Sequence, residues 1–201
     1  YTLWLEKLQH YLNEALHKGV VVPEVATVPE QFLLGMGGQS IESAATLGLS
    51  FVYGVFPYIP QDPVELAKSL SKKYRSTFKS GPHSKPSNFV LAVFVVIADT
   101  SEEAEEMAKP LDLWMLGKQD FSEFHTFPTQ KDVEEYQLTQ RDREKIASNR
   151  SRLIVGNPRE VFEQMEALRA VSNPDELLFI PLVGSIEKRK RSVELLAELY
   201  K

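Results

Sequence analysis

The chain contains no cysteine. That removes disulfides from the forces holding it together and thiolates from any metal site. Long apolar runs are missing as well. The longest, Phe89 to Ala98, ends at Asp99 and is too short for a bilayer-spanning helix. No charged-then-apolar leader opens the chain, so the expectation is a cytoplasmic protein with no membrane partner. Positive charge is in deficit: 23 Lys and Arg against 28 Asp and Glu give a net charge of −5, which disfavours a nucleic-acid partner. The one basic run, Lys188-Arg189-Lys190-Arg191, lies between Ile186 and the stripe Val193, Leu196 and Leu199, the pattern of a solvated helix face. His10, His17, His83 and His125 have neither metal-ligand nor triad spacing, so no metal is expected, and only His125 falls in an aromatic segment. What is present, 43% hydrophobic and 25% charged over 201 residues, is an ordinary globular composition.

The most informative stretch is Phe32-Leu33-Leu34-Gly35-Met36-Gly37-Gly38-Gln39-Ser40, which runs straight into Ile41-Glu42-Ser43-Ala44-Ala45-Thr46-Leu47-Gly48. It reads as a buried strand, a glycine turn, and an alanine-rich helix stopped by a glycine. Glycines let backbone N–H groups approach an anion, and a helix N-terminus adds partial positive charge. Gly37, Gly38, Gln39 and Ser40 thus form a candidate phosphate cradle that needs no lysine. The other reading is a tight turn with Ser40 as an ordinary N-cap.

Four strand-then-helix units run along the chain. The first is Gln31–Gly35 with a helix over Ile41–Leu47, and the second is Ser50–Phe56 with Val64–Phe78. The third is Phe89–Ala98 with a helix opening at Thr100, where Thr100-x-x-Glu103 spells a capping box. The fourth is Glu176–Pro181 with Ser185–Tyr200. An insertion of about 60 residues, Gly117 to Pro174, separates the last two. It holds an aromatic loop (Phe121, Phe124, His125, Phe127, Pro128), a charged helix over Thr139–Asn149, a short strand over Arg152–Val155, and a helix capped by Asn157 with Pro158 at its first position. Trp4, Leu5, Leu8, Tyr11 and Leu12 sit at helical spacing near the start. Alternating strands and helices predict an α/β fold with a parallel sheet. Asp99, after the third strand, reads as a turn residue before the Thr100 cap.

The glycine segment resembles the middle of the bacterial luciferase-like flavin monooxygenases, where a strand ending Leu-Gly-Ser-Ser precedes Ser-Ala and an Ala-Ala-x-x-Gly-Leu helix. Other blocks agree in order: Tyr74-Arg75-x-x-Phe78, Ala98-Asp99-Thr100-x-Glu102-Glu103-Ala104, Val155-Gly156-Asn157-Pro158-x-x-Val161, Asp175-Glu176-Leu177 and Arg191-Ser192-x-Glu194-Leu195-Leu196-Ala197. Met36 and Gly37 depart from the pattern, replacing the usual Ser-Ser, which removes two hydroxyls and leaves the backbone.

The resemblance implies a (β/α)8 TIM-type barrel of which residues 1–201 supply strands five to eight, the insertion at about 117–174 folding over the barrel mouth. The apolar inner faces of Phe32, Leu34, Val52, Val93 and Val95 are then expected to lack partners. A small α/β sheet complete as it stands is the competing architecture. The resemblance also implies FMN, with its phosphate at Gly37, Gly38, Gln39 and Ser40 and its ring along the second strand, where Tyr53 and Phe56 are candidate pocket walls. Packing in the core or against helices is the alternative for both. Reduced FMN, supplied by a flavin reductase, and O2 oxygenate a small organic substrate in this family, and a homo-oligomer is expected. The family's active histidine belongs to the N-terminal half, so no catalytic residue is carried over. A non-catalytic flavin- or phosphate-binding protein of the same fold is the alternative function.

Overall fold

In the computed structural model the described residues are 2–14, 29–57, 61–80, 86–121 and 123–201. His17 and His83 lie outside them. Among the described residues five parallel strands form one sheet: β1 Phe32–Gly35, β2 Ser50–Val55, β3 Phe89–Ile97, β4 Leu153–Gly156 and β5 Glu176–Pro181. The short strand expected within the insertion at Arg152–Val155 is β4, and it pairs with β3 in this sheet. Strand β3 is the spine. Its residues 89–93 pair with β2, 94–97 with β4, and 90–95 with β5. The β5 partners overlap both other sets, which do not overlap each other. Strands β2 and β4 therefore share one edge of β3 end to end, and β5 holds the other.

The helices follow the local chemistry of their ends. Helix α1 covers Thr2–Glu14 and α2 Gly38–Leu47; the latter stops at Gly48, whose φ of 67° glycine adopts without strain. Helix α3, Pro63–Thr77, is capped by Asp62, which accepts from the Val64 and Glu65 amides, with proline at the first position. Helix α4, Ser101–Trp114, is capped by the Thr100 hydroxyl, which accepts from the Glu103 amide. The reciprocal half of that capping box is not made, because the Glu103 carboxylate pairs with Lys188 at 3.6 Å. Within the insertion, α5 (Gln130–Glu135) and α6 (Gln140–Arg150) each open with a full capping box, Thr129 with Asp132 and Thr139 with Asp142. Asn157 and Glu160 do the same for α7, Pro158–Ser172. The last helix is α8, Ile186–Leu199.

Side chains alternate across a strand, and the two faces of this sheet differ. Leu33, Phe51, Tyr53, Leu91, Val93 and Val95 point to the side where α2, α3, α7 and α8 pack, and all are buried. On the other face Val52, Val90 and Ala92 are covered by Phe56, while Phe32 and Leu34 on β1 and Leu178 on β5 are 48%, 55% and 46% exposed. Toward the C-terminal end of β3 that second face is roofed by α4, whose Met107, Ala108 and Leu111 pack on Val96, Ala98 and Leu153. The expectation of an unpartnered row from Phe32 to Val95 is thus corrected. The register Val52↔Val90 places the even-numbered residues of β3 on the open side, so Val93 and Val95 belong to the helix-side core.

Candidate active site

The glycine turn leaves β1 at Gly35, where a Cβ would collide with the Ser40 side chain. Gly37, extended at φ −155° and ψ 179°, is the N-cap of α2, and the helix begins at Gly38. Ser40 is therefore the third residue of the helix and not its cap. Its hydroxyl donates to the Gly37 carbonyl at 2.9 Å, so its proton is already committed. The amides of Gly38, Gln39 and Ser40, at the start of the helix, have no intrahelical acceptor. A Cβ on Gly37 would meet nothing within 4 Å, and one on Gly38 only the Lys73 ammonium at 3.9 Å. Neither conformation nor internal packing calls for glycine at these two positions; what they leave is a bare main chain facing open space. The turn also has a lysine beside it. Lys73 of α3 reaches the mouth of α2, where it is paired with Glu42. No local pattern predicts that proximity, because it follows from the packing of α3 beside α2.

Beyond the turn, Phe56 stacks on Phe94 with ring centroids 4.4 Å apart and planes 17° from parallel. The Phe56 ring covers Gly54, where a Cβ would collide with it. Phe56 thus stands on the open face, as a pocket wall would. Tyr53 does not. The alternation that turns Gly54 to the open face turns Tyr53 to the helices, where it is fully buried beside Phe89. Burial raises the pKa of its phenol, with the Arg152 charge opposing.

The third part lies at the C-terminal ends of β3 and β5. A cleft of about 540 Å³ opens between α4 (Met107, Pro110), the segment Thr126–Gln130 and the β5–α8 turn with Lys188. Phe127 on its wall also packs on Trp114, centroids 5.9 Å apart. The insertion is pinned beside it by polar contacts. Arg150 forks onto Asp112 at 2.6 and 2.7 Å, and burial raises the Asp112 carboxyl against the pull of Arg150. Lys118 donates to Tyr136 Oη at 2.7 Å and to Asp142 at 2.9 Å, and Tyr136 donates to Glu123. Asp99 is locked by Arg191 at 2.5 and 3.1 Å, which holds its carboxyl below the usual range. It is a structural link between β3 and α8. His125 is exposed and does not line the cleft. Among the described residues, no cluster of three or more His, Asp or Glu side chains is arranged for a metal.

The family model for luciferase-like monooxygenases matches residues 6–172. Among relatives, the uncharacterized protein YceB of Bacillus subtilis (strain 168) is 31% identical over 98% of this chain and 59% of its own length. The N-acetyl-S-alkylcysteine monooxygenase of the same organism is 27% identical over 96% of this chain and 58% of its own. Among solved structures, apo-MsnO8 superposes with a TM-score of 0.80 at 25% identity, covering 99% of this chain and 59% of that one. The oxygenating constituent of 3,6-diketocamphane monooxygenase from Pseudomonas putida, in complex with FMN, shares the fold with a TM-score of 0.51 at 17% identity, covering 83% and 46%. The chain thus spans less than two thirds of the length of these relatives. With a parallel α/β sheet, a bare glycine turn at one strand end and a family match over most of its residues, the chain belongs to the luciferase-like monooxygenase family.

Proposed function

We propose that this chain carries the flavin-phosphate cradle and part of the substrate pocket of a monooxygenase that uses reduced FMN and O2 to oxygenate a small organic molecule. The observation that carries this reading is the pair Gly37 and Gly38, whose missing side chains serve nothing inside the protein. The amides of Gly38, Gln39 and Ser40 would donate to the phosphate, with the α2 dipole adding positive potential. Loss of the two family hydroxyls at Met36 and Gly37 leaves that main-chain part whole. Phe56 and Phe94 would present an apolar wall that keeps water from the reacting centre. When bound, reduced FMN supplies the electrons that let one atom of O2 enter the substrate while the other leaves as water. A separate flavin reductase is the source of reduced FMN in this proposal.

The exposed Phe32, Leu34 and Leu178 support a further part of it: β1, β2, β3 and β5 supply strands five to eight of a barrel, with β4 an addition on the edge of β3, and that face is covered by other strand–helix units of the whole protein. A homo-oligomer in the cytoplasm completes the reading. FMN titration followed by flavin fluorescence tests the cradle. Gly38→Val, which puts a branched side chain on the bare main chain, is expected to weaken binding about tenfold or more, a difference of ~1.4 kcal/mol. Unchanged affinity in Gly38→Val would place the phosphate elsewhere.

A further inference from the structure

We propose that the cleft between α4, the segment Thr126–Gln130 and the β5–α8 turn binds the molecule to be oxygenated, and that this molecule is uncharged and largely apolar. The assignment rests on the monooxygenase reading above, but the binding step does not need flavin. A volume of about 540 Å³ falls within the range of small-molecule sites, roughly 300–1,000 Å³. The walls are Met107, Pro110, Phe127, Pro128 and Val183, apolar groups from three separate stretches of chain. Proline inside a helix removes a main-chain hydrogen bond and destabilises it, yet α4 carries Pro110 on this wall.

Apart from the Thr126 hydroxyl at its rim, the cleft's polar side chains are each committed to a neighbouring carboxylate. The Thr129 hydroxyl donates to Asp132 at 2.6 Å, the Gln130 amide to Glu106 at 3.2 Å, and the Ser185 hydroxyl to Glu187 at 2.8 Å. Lys188, the one charged group among the described lining residues, is paired with Glu103 at 3.6 Å. A carboxylate entering here would have to give up its water and draw Lys188 from Glu103, whereas an apolar ligand needs neither. Met107 adapts to ligands of varied outline.

Trp114, in contact with Phe127, is a built-in reporter, and the only other tryptophan, Trp4, is exposed on α1. The protein carrying Trp4→Phe would be titrated, without flavin, with 1-octanol and with octanoate while Trp114 emission is recorded. Saturable change with 1-octanol, at least tenfold weaker with octanoate, is expected. Thr126→Phe and Gly184→Val, which grow side chains into the cleft from its exposed rim and from the turn, should each weaken 1-octanol at least fivefold. Three results would overturn the proposal: no saturable response to 1-octanol, a response indifferent to both filling variants, or octanoate binding as tightly as 1-octanol. Because FMN binding at Gly38 is measured separately, failure of the cradle and failure of the cleft are told apart.

Discussion

The two faces of the sheet are built to different standards. On the helix side, Phe51, Tyr53, Phe89, Leu91 and Val93 are sealed under four helices. On the other side Phe32, Leu34 and Leu178 meet solvent, Phe56 lies over Gly54, and the roof of α4 reaches only the C-terminal end. The difference separates stability from chemistry. The sealed face supplies the apolar burial that holds the fold. The uneven face carries the stacked phenylalanines and the cleft, while the bare glycine turn opens at the end of β1, on the sheet's edge.

Substitutions sharpen this contrast. The largest effect is expected from Leu91→Ala, which opens a cavity in the sealed face and should cost about 3–4 kcal/mol, measured by urea denaturation. Leu178→Ala, the same change across the sheet on a half-exposed residue, should cost less than about 1 kcal/mol. Equal losses would erase the distinction. Next, Arg150→Ala leaves the buried Asp112 carboxylate without its fork and should cost about 2–3 kcal/mol. The loss should appear as earlier proteolysis within the insertion while the sheet resists, and uniform unfolding would show that roof and sheet are one unit. Ser40→Ala removes one hydrogen bond to the Gly37 carbonyl, worth about 1 kcal/mol of stability. Since that hydroxyl is turned away from donating to an anion, flavin affinity should fall less than threefold, ~0.6 kcal/mol. The smallest change is Leu34→Ser, expected within about 0.5 kcal/mol of the parent in denaturation. It should reduce the binding of a hydrophobic dye if the exposed face is what the dye senses.

Much of the fold was legible in the sequence. The run Glu176–Pro181 is β5 residue for residue, and Thr100 and Asn157 cap the helices their spacing promised. The sidedness of β2 and β3 was not legible. From Phe89 to Ala98 every residue is apolar, so no alternation marks which side chains turn to the helices, and Val93, Val95 and Tyr53 found their face only through the register with neighbouring strands. The cap of α2 was hidden for a different reason. Gly37 takes that position through its main chain alone, leaving the nearby Ser40 as the only hydroxyl a pattern would notice. The cleft has no local signature at all, since its walls come from residues 107–110, 126–130 and 183–188.

Strand β4 takes up the edge of β3 where β2 stops, and this has a consequence for how the chain can change. The segment departs from the sheet after Ile97 and returns at Leu153 beside Phe94, with the Ala98 amide reaching the Gly156 carbonyl at 3.4 Å. Its entrance and exit are neighbours on one strand, so the roof is a cassette clipped into a fixed socket. Residues can be added or removed between α4 and α6 without asking the strands to move. Exchange of the whole cassette between relatives would replace two of the cleft's three walls and leave the third, at the β5–α8 turn with Lys188, and the glycine turn after β1 as they are.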